Sequence, residues 1–351
     1  MGSAVEWLDS LSPWPREFGL ERMRALLAGL GDPQDAYPAV HVVGTNGKST
    51  ATITIEQLLL SEGLSVGSTI SPHVEGWHER IRVDGAEADF EAAVARIRPL
   101  AEELDSTQFE AVTAAALLEF AVVAVDAAVV EAGLGGRLDA TNVLRTRVAL
   151  LTNVGLEHTD VLGGTVAEIA REKLAVARPD SVVVLPDETY ADLVPGRHVV
   201  YGGAREAAEA FVGRAIPADP EVSLPGRLER RDGEIRDGAH NPDGVRYLVE
   251  RLDPSVDHTI VLAILADKDA DAMLEELRRV GSRLVATTSS SARARPAADV
   301  AELARRWFDE VEAVEDPAEA VARAHELGEP VLVTGSLYLL GDLALKETRA
   351  R

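Results

Sequence analysis

The run HVVGTNGKST, His41 to Thr50, sets a lysine and two hydroxyls directly behind a glycine turn. Val42 and Val43 read as the end of a buried strand, and STATITIEQLLLSEG reads as a helix that stops at Gly63. A turn of this kind aims backbone N–H groups and a helix N-terminus at an anion. Lys48 then reaches the outer phosphates of a nucleotide, and the Ser49 hydroxyl is placed to ligate Mg²⁺. The spacing is not G-x-x-x-x-G-K-[ST], because position 42 is Val and the first glycine is Gly44. A glycine turn without a ligand is therefore the alternative.

Three further segments carry candidate chemistry. In DAAVVEAGLGGRLDATN, Asp126 to Asn142, Glu131 ends an apolar strand ahead of a three-glycine loop. A carboxylate at a strand's carboxyl end beside a phosphate loop can hold Mg²⁺ directly or through water. Asp139 and Asn142 either position a substrate or cap the next element. In LTNVGLEHTDVLGGTVAEIAREKLAVAR, Leu151 to Arg178, His158 lies in a loop, and Thr165 with Glu168 forms a capping box. Lys173 falls among apolar residues, where a bare ammonium is costly to bury. A metal, a carboxylate or a covalent modification resolves that cost, as does snorkelling to solvent. Farther on, LPGRLE offers Arg227 to phosphate, and RDGAHNPDG offers Asp237, His240 and Asn241, although the latter is also ordinary turn chemistry.

These residues need strand ends to hold them, and the chain alternates strand and helix. Strands are expected at 40–43, 65–70, 127–132, 147–153 and 181–185, with helices near 49–61, 89–104, 110–125 and 165–177. The alternation predicts an α/β fold with a mostly parallel sheet covered on both faces. The Pro- and Gly-rich run GRAIPADPEVSLPG, 213–226, reads as a linker. A second, smaller α/β series follows it, with strands before Asp237 and at 258–265, 282–287 and 330–334. Helices are expected there at 269–280, 297–307 and 336–347.

Composition narrows the function classes. Basic residues number 35 against 59 acidic ones, a formal charge of −24. That argues against binding nucleic-acid backbones. No run of about eighteen apolar residues is present and no leader pattern opens the chain, so a cytoplasmic protein without a membrane partner is expected. Zero cysteines exclude disulfides, zinc thiolates and cysteine nucleophiles. Only four lysines occur, Lys48, Lys173, Lys268 and Lys346, in a chain that otherwise uses arginine. Each raises the question of whether amine chemistry is needed there, because arginine cannot become a nucleophilic amine.

Taken in order, these segments resemble the Mur ligase superfamily, and within it the dihydrofolate synthase/folylpolyglutamate synthase family. The carriers are GTNGKST, SPHVEGWHERI, TQFEAVTAAALLEFA, EAGLGGRLDATN, GLEHTDVLGGT, REKLAVA, LPGRLE, DGAHNP, LADKD and VTGSLYLLGD. The resemblance implies a P-loop ATP-binding domain over 1–215, a linker at 216–226 and a Rossmann-like glutamate-ligase domain over 227–351. It implies an ATP-dependent amide ligase that joins L-glutamate to dihydropteroate through an acyl phosphate. The resemblance leaves open whether the same site also extends tetrahydrofolate by further glutamates. By position, Thr45, Asn46, Gly47, Lys48, Ser49 and Thr50 bind ATP, with Arg227, Asp237, His240 and Asn241 from the second domain. Ser49, Ser71, Glu131 and His158 hold one or two Mg²⁺ ions. Lys173 matches a lysine that is carbamylated in such ligases. Thr107, Phe109, Asp139 and Ala140 match the pterin pocket, with Phe109 as a stacking face. A monomer is expected.

The chain departs from the family in two places. Ser49 follows Lys48 directly, where the family writes G-T-N-G-K-G-[ST]. The stretch between Lys173 and Leu224 is short, and GGAREAAEAFVG stands where an Asn-containing helix is usual. Two other readings stay open. One is a Mur-like amino-acid ligase acting on another pterin or carboxylate. The other is a catalytically silent nucleotide-binding subunit.

Overall fold

The computed structural model describes residues 3–231 and 233–350. By internal contacts the chain divides into two compact units, one of residues 1–73 and 77–222, the other of 74–76 and 223–351. The segment SPHVEGWHERI therefore contributes Val74, Glu75 and Gly76 to the second unit.

In the first unit the strands are β1 (Ala39–Val43), β2 (Val66–Thr69), β3 (Arg82–Val83), β4 (Ala86–Glu87), β5 (Ala127–Glu131), β6 (Thr146–Leu151), β7 (Val182–Leu185) and β8 (His198–Tyr201). They form one sheet in the order β4-β3-β2-β5-β1-β6-β7-β8. All pairings are parallel except those of β3, which is antiparallel to β2 and β4. The central strands are continuous apolar runs, as expected when both faces are covered. The helices α1 (Ala4–Ser10), α2 (Glu21–Gly29), α3 (Lys48–Ser61), α4 (Phe90–Glu103), α5 (Gln108–Val123), α6 (Thr159–Leu162), α7 (Val166–Leu174) and α8 (Ala204–Val212) accompany it. One core joins α1, α2, α4 and α5 to the sheet, another lies between α3, α8 and the sheet, and a third gathers Leu174, Val176 and Val183.

The register matters most for function. Val42 of β1 lies opposite Glu131 of β5, and Val43 lies opposite Leu151 of β6. Thr69 of β2 lies opposite Val130. The loops after β1, β2, β5 and β6 thus leave the sheet at one level, at its carboxyl edge. Sheet order reverses around β1, which is where α/β sheets place ligands.

The second unit has strands β9 (Glu229–Arg231), β10 (Glu234–Arg236), β11 (Thr259–Leu262), β12 (Arg283–Ala286), β13 (Glu310–Ala313) and β14 (Val331–Thr334). Their order is β13-β12-β11-β14-β10-β9, with only β9 antiparallel to its neighbour. Helices α9 (Pro242–Val249), α10 (Ala270–Leu277), α11 (Ala297–Ala304), α12 (Pro317–Leu327) and α13 (Leu337–Ala350) complete it.

Several elements were not expected from the sequence. RVDGAE forms a hairpin, with Asp84 (φ 50°) and Gly85 (φ 81°) as its turn, the Asp-Gly pair that such tight hairpins favour. Strands β8 and β13 are edge strands with partly exposed residues, so their apolar runs are weak. Helices α1, α2, α6, α8 and α12 were also unassigned, whereas α9 follows His240 and Asn241, which read as a strand-to-helix loop. The 213–226 run has no regular helix or strand. Arg205 of α8 holds its first half by donating to Ile216 O and Ala218 O, each at 2.8 Å. Among the described residues no helix is long and apolar enough to cross a membrane.

Candidate active site

The loop after β1 is built around its backbone. Gly44 has φ 150°, a region that only glycine visits freely, and a Cβ there would collide with Thr152 Oγ1. That closeness lets the loop bond to the strand end after β6. Thr45 N donates to Asn153 O at 3.0 Å, Asn46 N to Asn153 Oδ1 at 2.8 Å, and Thr152 Oγ1 to Asn46 O at 2.7 Å. Gly47 (φ 78°) then opens α3 with no side chain capping it among the described residues. The first N–H groups of α3 are left for an anion. Lys48 Nζ donates to Thr45 O at 3.1 Å, which keeps the ammonium at the loop. Gly44→Ala should strain the loop by about 1–3 kcal/mol. Nucleotide affinity should fall at least tenfold; titration calorimetry with ADP checks this, and unchanged affinity would contradict the loop's role.

Glu131 is 3% exposed at the end of β5, and its Oε2 accepts from Ser71 N at 3.0 Å. The register therefore brings two expected metal-site residues together. Arg80 lies in the same surroundings: burial lowers it to about 10, and Glu131 and Glu79 oppose that shift. It donates to His73 Nδ1 at 2.9 Å and stacks over Trp77. His73 is lowered to about 3, by burial first and then by Arg80, so it accepts this bond as a neutral ring. His158 precedes α6 with φ 45°, and Ser49 lies in the first turn of α3. Among the described residues no three His, Asp or Glu side chains form a metal cage. Serine hydroxyls with one carboxylate suit Mg²⁺, which keeps waters and phosphate oxygens as its other ligands.

Lys173, in the last turn of α7, is 1% exposed. Its ammonium donates to Gly44 O at 2.9 Å and to Glu157 Oε1 at 2.8 Å. Of the ways to resolve its burial, the structure shows a carboxylate partner, and snorkelling is excluded. Burial lowers the Lys173 ammonium from its ordinary value; Glu157 opposes the shift and Lys48 adds to it. Burial pushes Glu157 up, but Lys173 and Lys48 outweigh it and hold the carboxyl below its usual range. Glu157 was not singled out from the sequence, where a carboxylate in the GLEHTD loop gives no periodic signal. The glycine loop after β5 packs against this lysine from the other side. A Cβ on Gly136 would lie 2.5 Å from Lys173 O.

The residues matched to a pterin pocket flank that loop. The Phe109 ring lies on Gly133, where a Cβ would sit 2.6 Å from Phe109 Cζ. Thr107 is the N-cap of α5, and its hydroxyl donates to Glu110 Oε2 at 2.8 Å. Asp139 is buried and organises the loop, accepting from Leu134 N at 2.7 Å, from Thr141 N at 3.0 Å and from the Thr141 hydroxyl. Burial raises its pKa against those bonds. Ala140 is 8% exposed, and Asn142 Nδ2 donates to Arg137 O. An aromatic pair missed in the sequence lies near the start of α5. Trp14 and Phe18 are edge-to-face and exposed, while Ser12 O accepts from Gln108 N.

In the second unit, Arg227, Asp237, His240 and Asn241 gather beyond the end of β10. Asp237 accepts from Leu228 N at 2.8 Å and Ala239 N at 2.9 Å; burial raises it, and those bonds and Arg227 oppose the rise. His240 Nδ1 lies 2.8 Å from Gly238 O. Asn241 caps α9, its Oδ1 accepting from Gly244 N at 2.7 Å.

This geometry has counterparts in known proteins. The family described as "Mur ligase middle domain" matches residues 42–211, and "Mur ligase, glutamate ligase domain" matches 226–337. A dihydrofolate synthase/folylpolyglutamate synthase of Mycobacterium tuberculosis is 32% identical over 374 residues, covering 80% of this chain and 77% of the relative. The chain belongs to the dihydrofolate synthase/folylpolyglutamate synthase family of Mur ligases. Solved structures of that family superpose along nearly the whole chain. FolC of Escherichia coli in complex with DHPP and ADP gives a TM-score of 0.86 at 27% identity, covering 100% of this chain and 99% of that one. The bifunctional folylpolyglutamate synthase/dihydrofolate synthase of Yersinia pestis, complexed with AMPPNP and Mn ion, gives 0.86 at 28% identity, covering 99% and 98%.

This Mur ligase also carries an ionic network around β10 that is buried at Arg236 and reaches solvent at Glu329. Arg236, 5% exposed, pairs with Glu234 at 2.8 Å and Glu347 at 2.7 Å. His325 bridges Glu234 at 3.0 Å and Glu329 at 2.9 Å. Burial lowers His325, but the two carboxylates outweigh it and raise its pKa. A raised folded value stabilises the fold fully below the unfolded pKa of about 6.5, and the gain is lost as pH rises through the folded value. Thermal midpoints of wild type and His325→Gln should differ most below about pH 6.5 and converge at higher pH. A constant difference at every pH would exclude the charged bridge.

Proposed function

We propose that this chain is an ATP-dependent amide ligase joining L-glutamate to dihydropteroate, and that it also extends tetrahydrofolate with further glutamates. The observation that carries the reading is the meeting, at one sheet edge, of an uncapped helix N-terminus, Lys48, the Ser71–Glu131 contact and buried Lys173. The domain roles in this reading are ATP binding on 1–215, a linker at 216–226, and glutamate ligation on 227–351. The protein acts as a cytoplasmic monomer on small molecules, with no nucleic-acid or membrane partner.

The reaction has two steps. The acceptor carboxylate takes the terminal phosphoryl group of ATP, giving an acyl phosphate and ADP. The glutamate amine then attacks the acyl carbon, phosphate leaves with the C–O bond, and the amine loses a proton to give the amide. The first step brings anions together, so positive groups must screen them. Lys48 and the first N–H groups of α3 do this on the phosphate side, with Thr45, Asn46, Ser49 and Thr50 shaping the loop. Mg²⁺ held by Ser49, Ser71, Glu131 and His158 supplies further neutralisation when bound. A carbamate on Lys173 would turn a buried cation into an anion. The depressed basicity of Lys173 favours the neutral amine that adds CO₂. Phe109 stacks on the pterin between Thr107, Asp139 and Ala140, while Arg227, Asp237, His240 and Asn241 are assigned to ATP.

Release of ADP, measured with glutamate and each acceptor in turn, tests the proposal. Dihydropteroate should stimulate it strongly and tetrahydrofolate more weakly. No stimulation by dihydropteroate would overturn the assignment.

A further inference from the structure

His41 opens the run that carries the phosphate loop, yet it has no part in the reaction as written above. It lies in β1, is 0% exposed, and turns its ring to the segment after β5. Nε2 lies 2.8 Å from Thr141 Oγ1, itself buried. Thr146 Oγ1 is 3.5 Å from Nδ1, too far for a strong bond. Burial, with Arg178 adding to it, lowers the His41 ring to about 3. The ring is therefore neutral and carries a single N–H.

The far end of this chain of contacts fixes its direction. Asp139 Oδ1 accepts from Thr141 N at 3.0 Å and from the Thr141 hydroxyl, and Oδ2 accepts from Leu134 N at 2.7 Å. Every partner is a donor, so the carboxylate accepts throughout and the Thr141 hydroxyl spends its one proton on Asp139. Thr141 Oγ1 then has only lone pairs to offer His41, and Nε2 must carry the ring proton. The relay runs from His41 Nε2–H to the Thr141 hydroxyl and on to Asp139. Hydrogen bonds in series polarise one another, so the first strengthens the second. Through Leu134, Asp139 holds the glycine loop, where the Phe109 ring lies on Gly133. The carboxylate is buried, so a donor lost there is not replaced by water.

We propose that His41 is a positioning residue for the acceptor: through Thr141 it fixes Asp139 and the glycine loop, and so sets the affinity for dihydropteroate without touching it. The proposal rests on Asp139 and Phe109 lining the acceptor pocket, as stated under Proposed function. Strand β1 thereby serves both substrates. Its carboxyl end leads into the phosphate loop, and its His41 side chain braces the acceptor pocket.

The test compares His41→Leu, which keeps an apolar body but no donor, with His41→Gln, whose amide nitrogen can take the place of Nε2. Initial rates of ADP release give the KM for dihydropteroate and for ATP in each protein. His41→Leu should raise the KM for dihydropteroate about tenfold and leave that for ATP within about twofold, as when one bond to a buried polar network is removed. His41→Gln should recover most of the affinity, and dihydropteroate binding by titration calorimetry should follow the same order. Thr141→Val and Thr141→Ser repeat the comparison at the middle link, and they decide the matter if a His41 variant does not fold. An unchanged KM for dihydropteroate in His41→Leu and Thr141→Val would overturn the relay. So would equal rises for ATP and dihydropteroate, the mark of a strand disturbed as a whole, or a failure of Gln and Ser to recover affinity. A wild type that does not bind dihydropteroate would instead remove the acceptor reading itself, and the relay's role with it.

Discussion

Lys173→Arg should lose ligase activity by on the order of 10²- to 10³-fold while remaining folded, the loss typical when one preorganised charge is removed from a transition state. Lys173 is 1% exposed and donates to Gly44 O and Glu157. A guanidinium keeps the positive charge and can keep the Glu157 pair, so the fold retains its counter-ion. It cannot lose a proton and add CO₂. Its extra atoms must fit a filled pocket, which costs about 1–3 kcal/mol. For a unit of this size that lowers the thermal midpoint by a few degrees, about 2–4 °C for each kcal/mol. Initial rates of ADP release beside a thermal melt separate the two effects. A variant with near-wild-type turnover would show that Lys173 is only a structural cation.

Glu131→Gln should weaken the response to Mg²⁺ and lower turnover on the order of 10²-fold at saturating substrate. The amide has the shape of the carboxylate, and its oxygen can still accept from Ser71 N, now at 3.0 Å. What it loses is charge, which a hard cation needs. Some stability is lost as well, because half-buried Arg80 is drawn to Glu131. Glu79 and the bond to His73 remain as its other partners, which limits that loss. Turnover titrated with Mg²⁺, set against thermal midpoints in metal-free buffer, distinguishes the roles. A fall in stability with no change in the Mg²⁺ response would make Glu131 a partner of Arg80 alone.

Where the local chain specifies a conformation, the sequence was legible. The β1–α3 loop was readable because only glycine fits Gly44 and Gly47, and because lysine and serine follow at the helix start. The strands β1, β5 and β6 were readable because parallel strands covered on both faces need unbroken apolar runs. Capping chemistry was legible too, but it competes with functional readings. Thr107 matched a substrate position, and its hydroxyl serves the capping box of α5. Asn241 matched an ATP position and caps α9. Asp139 matched the pterin pocket and spends its bonds within its own loop. The edge strands β8 and β13 were missed, since half-exposed edges do not need strongly apolar residues.

By itself the sequence determined the glycine turn after β1, the strand–helix alternation of the central sheet, the family, and the rarity of lysine that made Lys173 conspicuous. Those are properties of residue type and spacing, written within a few positions of one another. Only the tertiary structure decided which distant residues share a charge. Parallel register across β1, β2, β5 and β6 brings Ser71 to Glu131, 60 residues apart in chain order. The packing of α7 against the β1 loop brings Lys173 to Gly44, and the loop after β6 brings Glu157 to the same lysine. Charge pairing depends on separation in space and on burial, and neither quantity is encoded in local spacing. The lysine was visible in the sequence; the carboxylate that holds it was not.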